Sequence, residues 1–159
     1  MCSSDLPFLP ALDEVYPDAR FVMTHRDVTK AIPSNIVFVL ALSHTFSDRR
    51  DLQAMARHMV NFWEIALRRL FAFRDAGNEH RFFDIKFADF QSNPLQEIRR
   101  LYDWLEEPLS NAAETNMRSW WEAQPEDRQA TAKIALADLG ITVDELRQRF
   151  AFYTERFGQ

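Results

Sequence analysis

An arginine at the end of a short apolar run, with a serine eight residues further on, is the pair in this sequence best suited to chemistry: Arg26 and Ser34. A guanidinium can hold a phosphate through two parallel hydrogen bonds, and a hydroxyl near a helix start can add a third. Together they read as a phosphate clamp. A plainer reading also fits the spacing: Arg26 pairs with Asp27 or another carboxylate, and Ser34 caps a turn after Pro33. Residue types and spacing alone leave both open.

Other chemistries lack their residues. The only glycines are Gly77, Gly140 and Gly158, too far apart for a glycine-rich phosphate loop or a serine nucleophile elbow. The four histidines form no HExxH pattern, and the carboxylates show no paired spacing that demands acid–base work. Cys2 is the single cysteine, so a Cys-rich zinc site and an internal disulfide are excluded, and a cytoplasmic location is expected. No metal site is expected.

The elements that must position Arg26 and Ser34 follow from periodicity. Residues 20–25 (RFVMTH) read as a short buried strand between a turn at Tyr16–Ala19 and the Arg26-Asp27 pair. Asp27 or Thr29 is placed to cap a helix over about 28–46, kinked near Pro33. The longest helix is expected over 50–75, with Leu52, Met55, Met59, Trp63, Leu67, Leu70 and Phe71 as its apolar stripe and Gly77-Asn78 as its stop. Residues 82–87 alternate Phe83, Ile85 and Phe87 and read as a second strand. Asn93-Pro94 with Gln96 starts a further helix as a capping box, Ser110 opens another through Trp120 and Trp121, and Thr142 with Glu145 opens the last, on the stripe Leu146, Phe150, Tyr153 and Phe157.

Strands separated by long helical segments predict an α/β fold with parallel strands. The 159 residues, 47% of them hydrophobic, fit one domain. The net charge of −5 argues against a nucleic-acid partner. The longest apolar run, Ile36 to Leu42, is far too short for a membrane span. Two strands are few for a sheet covered on both faces, so a preceding N-terminal part is expected.

The stretch YPDARFVMTHRDVTKAIPS, Tyr16 to Ser34, resembles the 3′-phosphate-binding segment of sulfotransferases that use 3′-phosphoadenosine 5′-phosphosulfate, and is closest to the bacterial sulfotransferase-like group. The resemblance continues through FSDRRDLQAMARHMVNFWEIALRRLFAFRD and FFDIKFADFQSNPLQEIRRLYDWLEEPLS. It runs from about Pro7 to the C-terminus. Val28 stands where the family usually has Pro.

The resemblance implies a helix-rich, partial parallel sheet of the P-loop type, lacking the N-terminal strand and the phosphate loop. Residues 7–159 would be the C-terminal part of such a domain. Residues 1–6 would be a disordered tail or the translation of a sequencing-adapter end. The implied donor is 3′-phosphoadenosine 5′-phosphosulfate, and the implied acceptor a hydroxyl or amine on a small molecule or glycan. Arg26 and Ser34 would take the 3′-phosphate. Phe87 would lie near the adenine, as an alternative to a plain core role. Arg128, with Lys133, would fall in the basic loop that completes the site, although the family's glycine is absent there. The family's catalytic His-Leu pair falls on Asp5-Leu6, so no catalytic residue is assigned and the chain alone is expected to be inactive. His25 is expected to be structural. The alternative reading is a non-catalytic helical interaction module derived from the same fold.

Overall fold

A computed structural model describes residues 5–43, 45–46, 51–123 and 136–158. Its centre is a two-stranded parallel sheet of β1 (Phe21–His25) and β2 (Phe82–Lys86), with Phe21 opposite Phe82 and His25 opposite Lys86. The helices are α1 (Leu9–Val15), α2 (Val28–Ser43), α3 (Leu52–Phe73), α4 (Phe87–Ser92), α5 (Pro94–Leu105), α6 (Asn111–Ala123), α7 (Val143–Arg149) and α8 (Ala151–Phe157). The α/β class and the parallel pairing agree with the sequence reading.

The local chemistry explains the boundaries. The Asp27 carboxylate accepts from the Thr29 backbone N–H and hydroxyl, which starts α2 directly after β1. The helix runs through Pro33 as one element rather than as a separate first turn. Asp51 caps α3 by accepting from the Ala54 N–H. A turn over Arg74–Asn78 ends α3, and Gly77 within it adopts φ 102°, a conformation that other residues rarely take. Asn93 caps α5 by accepting from the Gln96 N–H. The expected capping box is not reciprocal: the Gln96 side chain accepts from the Asn93 side-chain amide instead of its backbone.

The core lies between one face of the sheet and α2, α3, α7 and α8. Phe21, Phe73 and Phe82 pack ring against ring, and Leu9, Ile36, Leu70, Leu139, Leu146 and Phe150 are fully enclosed. All of the expected α3 stripe except Leu52 lies in or against the core, and the enclosed seam adds Ala56, Val60, Ala66 and Phe73. Ala56, Val60, Ala66, Leu67, Leu70 and Phe73 are buried, while Leu52 is exposed and Met55, Met59 and Trp63 are half-buried. The C-terminal stripe is as expected, except that Phe150 divides it into α7 and α8. No described helix is long and apolar enough to cross a membrane.

Candidate functional site

Successive residues of β1 point to opposite faces. Phe21, Met23 and His25 face the core, so Val22, Thr24 and, one step past the strand, Arg26 belong to the other face. In β2 the pairing places Phe83 and Ile85 beside Val22 and Thr24. Continued one step, it brings Phe87 beside Arg26. The Arg26 guanidinium accordingly lies 4.5 Å from the centre of the Phe87 ring. A guanidinium held by its face keeps its N–H edge free to donate.

A cleft of about 750 Å³ opens at this end of the sheet. Arg26, Ser34 and Phe87 all line it, together with Asn35 and Phe38 of α2, Trp63 of α3 and Tyr153 of α8. Three of the four site residues read from the sequence are therefore brought together. Arg128 and its neighbour Lys133 lie outside the described residues.

Among the described residues the plainer, ion-paired reading of Arg26 finds no partner. Asp27 turns its Oδ1 to Thr29, and no described carboxylate lies within ion-pair distance of Arg26. Burial by itself would raise the Asp27 pKa, but the two Thr29 donors and the charge of Lys30 hold it below the usual range. Ser34 sits in the second turn of α2, early in the helix as expected, and the helix N-terminus itself is capped by Asp27. Ser34 offers an exposed hydroxyl on the wall of the cleft.

Two lining residues escaped the sequence reading as polar groups. Trp63 appeared only as part of an apolar stripe, yet its indole N–H donates to Asn35 Oδ1 at 3.0 Å. That bond fixes the Asn35 amide, leaving its NH₂ end as a donor beside Ser34. Tyr153 likewise appeared only as core, but its hydroxyl meets His25 Nδ1 at 2.9 Å. Asp5 opens the turn over Leu6–Phe8, where its carbonyl accepts from the Phe8 N–H, and Leu6 lines the cleft. Among the described residues no histidine lines the cleft.

Behind the cleft lies a buried polar network. His25, fully enclosed, faces Asp84 Oδ1 through Nε2 at 2.7 Å and stacks on Phe157 at 3.8 Å between ring centres. Arg74, 1% exposed, grips both Asp84 oxygens and both Glu79 oxygens. Arg156 closes the outer end on Glu79 and Asp75. Burial pushes the Asp84 pKa up, but hydrogen bonds from His25 and Arg74 and the charge of Arg74 overcome it and hold the carboxyl down at about 2. His25 is thus structural, as its sequence context implied.

The geometry brings together a cleft with an arginine that meets no described carboxylate, a hydroxyl and an aromatic face at the carboxyl end of parallel strands, the usual place for ligands in open α/β sheets. The sequence comparisons agree in kind. The model of the sulfotransferase family matches residues 3–111, and the chain belongs to that family. The crystal structure of sulfotransferase STF9 from Mycobacterium avium is 30% identical and superposes with a TM-score of 0.86 over 97% of this chain and 40% of its own. That of sulfotransferase STF1 from Mycobacterium tuberculosis H37Rv is 27% identical, with a TM-score of 0.77 over 94% of this chain and 38% of its own. The chain therefore spans about two fifths of the length of these structures. No curated protein matches it.

Proposed function

We propose that this chain carries the nucleotide end of a sulfotransferase site. Arg26 and Ser34 hold the 3′-phosphate of 3′-phosphoadenosine 5′-phosphosulfate, and Phe87 offers its ring to the adenine. The observation that carries this reading is the meeting of these three residues on one cleft, with Arg26 free of any described carboxylate. An exposed arginine stacked on a ring and meeting no described carboxylate is suited to an anion supplied by a ligand.

In the whole enzyme the acceptor oxygen or nitrogen attacks sulfur in line. A new bond to sulfur forms as the bond from sulfur to the 5′-phosphate oxygen breaks. The acceptor proton passes to a base, and 3′-phosphoadenosine 5′-phosphate leaves. In this reading the described cleft residues hold the leaving nucleotide, and no catalytic base is assigned among them. In this reading residues 7–159 form the C-terminal part of the domain, act on a small-molecule or glycan acceptor only as part of the whole enzyme, and turn over nothing alone.

The test is calorimetry with 3′-phosphoadenosine 5′-phosphate. The chain binds it weakly, and Arg26→Ala lowers that affinity about tenfold, the worth of a charge-assisted contact. Affinity that survives Arg26→Ala unchanged refutes the clamp.

A further inference from the structure

The α2 wall of the cleft carries a polar group that the phosphate clamp does not yet use. We propose that Asn35 is a third donor to the 3′-phosphate, and that Trp63 is the residue that positions it. The inference rests on the reading of Arg26 and Ser34 given above.

The orientation of the Asn35 amide follows from donor and acceptor counts. An indole N–H only donates, so the Trp63 N–H, 3.0 Å away, selects the amide oxygen. The NH₂ end is turned away from Trp63, and among the described residues it meets no acceptor. Trp63 is itself held in place. It packs against the core, and its ring meets that of Phe62 edge to face at 6.0 Å. The bond thus ties α2 to α3, and both of its residues line the cleft.

Helix geometry brings that NH₂ group to the clamp. Ser34 and Asn35 stand three and four residues after Ala31, so on the surface of α2 both are its neighbours one turn on. Side chains of a helix lean toward its N-terminus. Those of Ser34 and Asn35 therefore lean over Ala31, toward the start of α2, where Arg26 stands just before Val28. The small Ala31 side chain leaves room between them and lines the same cleft. Around that room the guanidinium and the amide NH₂ only donate, and the Ser34 hydroxyl can donate. Among the described residues no carboxylate lines the cleft. A ribose hydroxyl uses one such donor, whereas a phosphate has acceptor oxygens for all three. A binding group held by a second residue in this way keeps one geometry.

The experiment compares affinities for 3′-phosphoadenosine 5′-phosphate and adenosine 5′-monophosphate, by NMR titration, in the native chain, Asn35→Ala, Trp63→Phe, their double variant and Arg26→Ala. The native chain prefers the bisphosphate about tenfold, and Arg26→Ala abolishes the preference. Asn35→Ala lowers the preference about threefold with monophosphate affinity unchanged. Trp63→Phe keeps a ring but drops the N–H, and lowers the preference about twofold. The double variant matches Asn35→Ala, because Trp63 acts through Asn35. A preference kept intact in Asn35→Ala but lost in Arg26→Ala overturns the inference and leaves the clamp standing. So does an equal loss for both nucleotides in Asn35→Ala. An unchanged preference in Trp63→Phe, or a double variant that falls below Asn35→Ala, overturns the positioning role of Trp63. A preference that survives Arg26→Ala, or no binding of either nucleotide at millimolar concentration, overturns the clamp and the inference together. The native chain gives a readout that needs no variant. The Asn35 side-chain NH₂ signals shift with the bisphosphate and hold their place with the monophosphate; equal shifts with both, or none with either, overturn the proposal.

Discussion

Replacing Arg74 by alanine removes the centre of the buried ionic network, and the consequence can be worked out from its contacts. Arg74 makes four charge-assisted hydrogen bonds, of 2.7 and 2.7 Å to Glu79 and of 3.0 and 2.6 Å to Asp84. Its guanidinium also lies 4.4 Å from the Phe82 ring centre and 5.2 Å from that of Phe157. The Asp84 side chain is only 30% exposed, so it cannot recover full hydration when its partner goes. Removing one member of a buried pair costs about 3–5 kcal/mol. For a domain of this size that lowers Tm by roughly 6–20 °C. The assay is urea unfolding followed by circular dichroism, with the thermal midpoint as a second readout. Glu79→Gln is the comparison. Glu79 is 58% exposed in its side chain, so its loss costs about 1 kcal/mol or less. A loss below about 1 kcal/mol in Arg74→Ala, or equal losses in the two variants, refutes the claim that burial makes this network matter.

Three further outcomes follow from single positions. Asp84 ionises at about 2 in the fold against an ordinary 3.8, so its contribution is present above pH 3.8 and is lost as pH falls toward 2; it amounts to about 2 kcal/mol, and denaturant midpoints across that window show a step that is absent in Asp84→Asn. Phe150→Ala empties a fully enclosed site between α7 and α8 and costs about 3–5 kcal/mol by the same unfolding assay. Glu106 ends α5 in the left-handed region at φ 59°, so Glu106→Gly relieves strain and raises stability by about 0.5–1 kcal/mol.

Much of the fold was legible because local signals agreed with the tertiary ones. RFVMTH is β1 within a residue, and the Asn93 and Thr142 caps stand where their side chains predict. Phe87 came from the family resemblance; its alternation with Phe83 and Ile85 spoke for a plain core role, and the strand stops at Lys86. The same alternation puts the ring beside Arg26. The α3 stripe was incomplete because large side chains dominate a periodicity count, whereas the small Ala56 and Ala66 are also buried. Arg74 gave no signal at all. It looks like any charged residue at a helix end, and its role depends on Asp84, which in turn depends on His25, 59 residues away. The Tyr153 hydroxyl meets His25 across 128 residues, a separation that no local pattern can report. Asp27 starts α2 where its side chain predicts, and Ser34 falls early in that helix.

The most direct test is to map where 3′-phosphoadenosine 5′-phosphate perturbs the NMR spectrum of the labelled chain. A second cleft, of about 400 Å³ and lined by Arg20, His80, Arg81 and Trp104, lies before the starts of both strands and also offers basic residues. If Arg26, Ser34 and Phe87 form the nucleotide site, the shifts gather on residues 26–35 and on the Phe87 ring, and leave Arg20, His80 and Trp104 unmoved. Shifts that gather on the second cleft, or an Arg26–Phe87 region that stays silent at saturation, contradict the account.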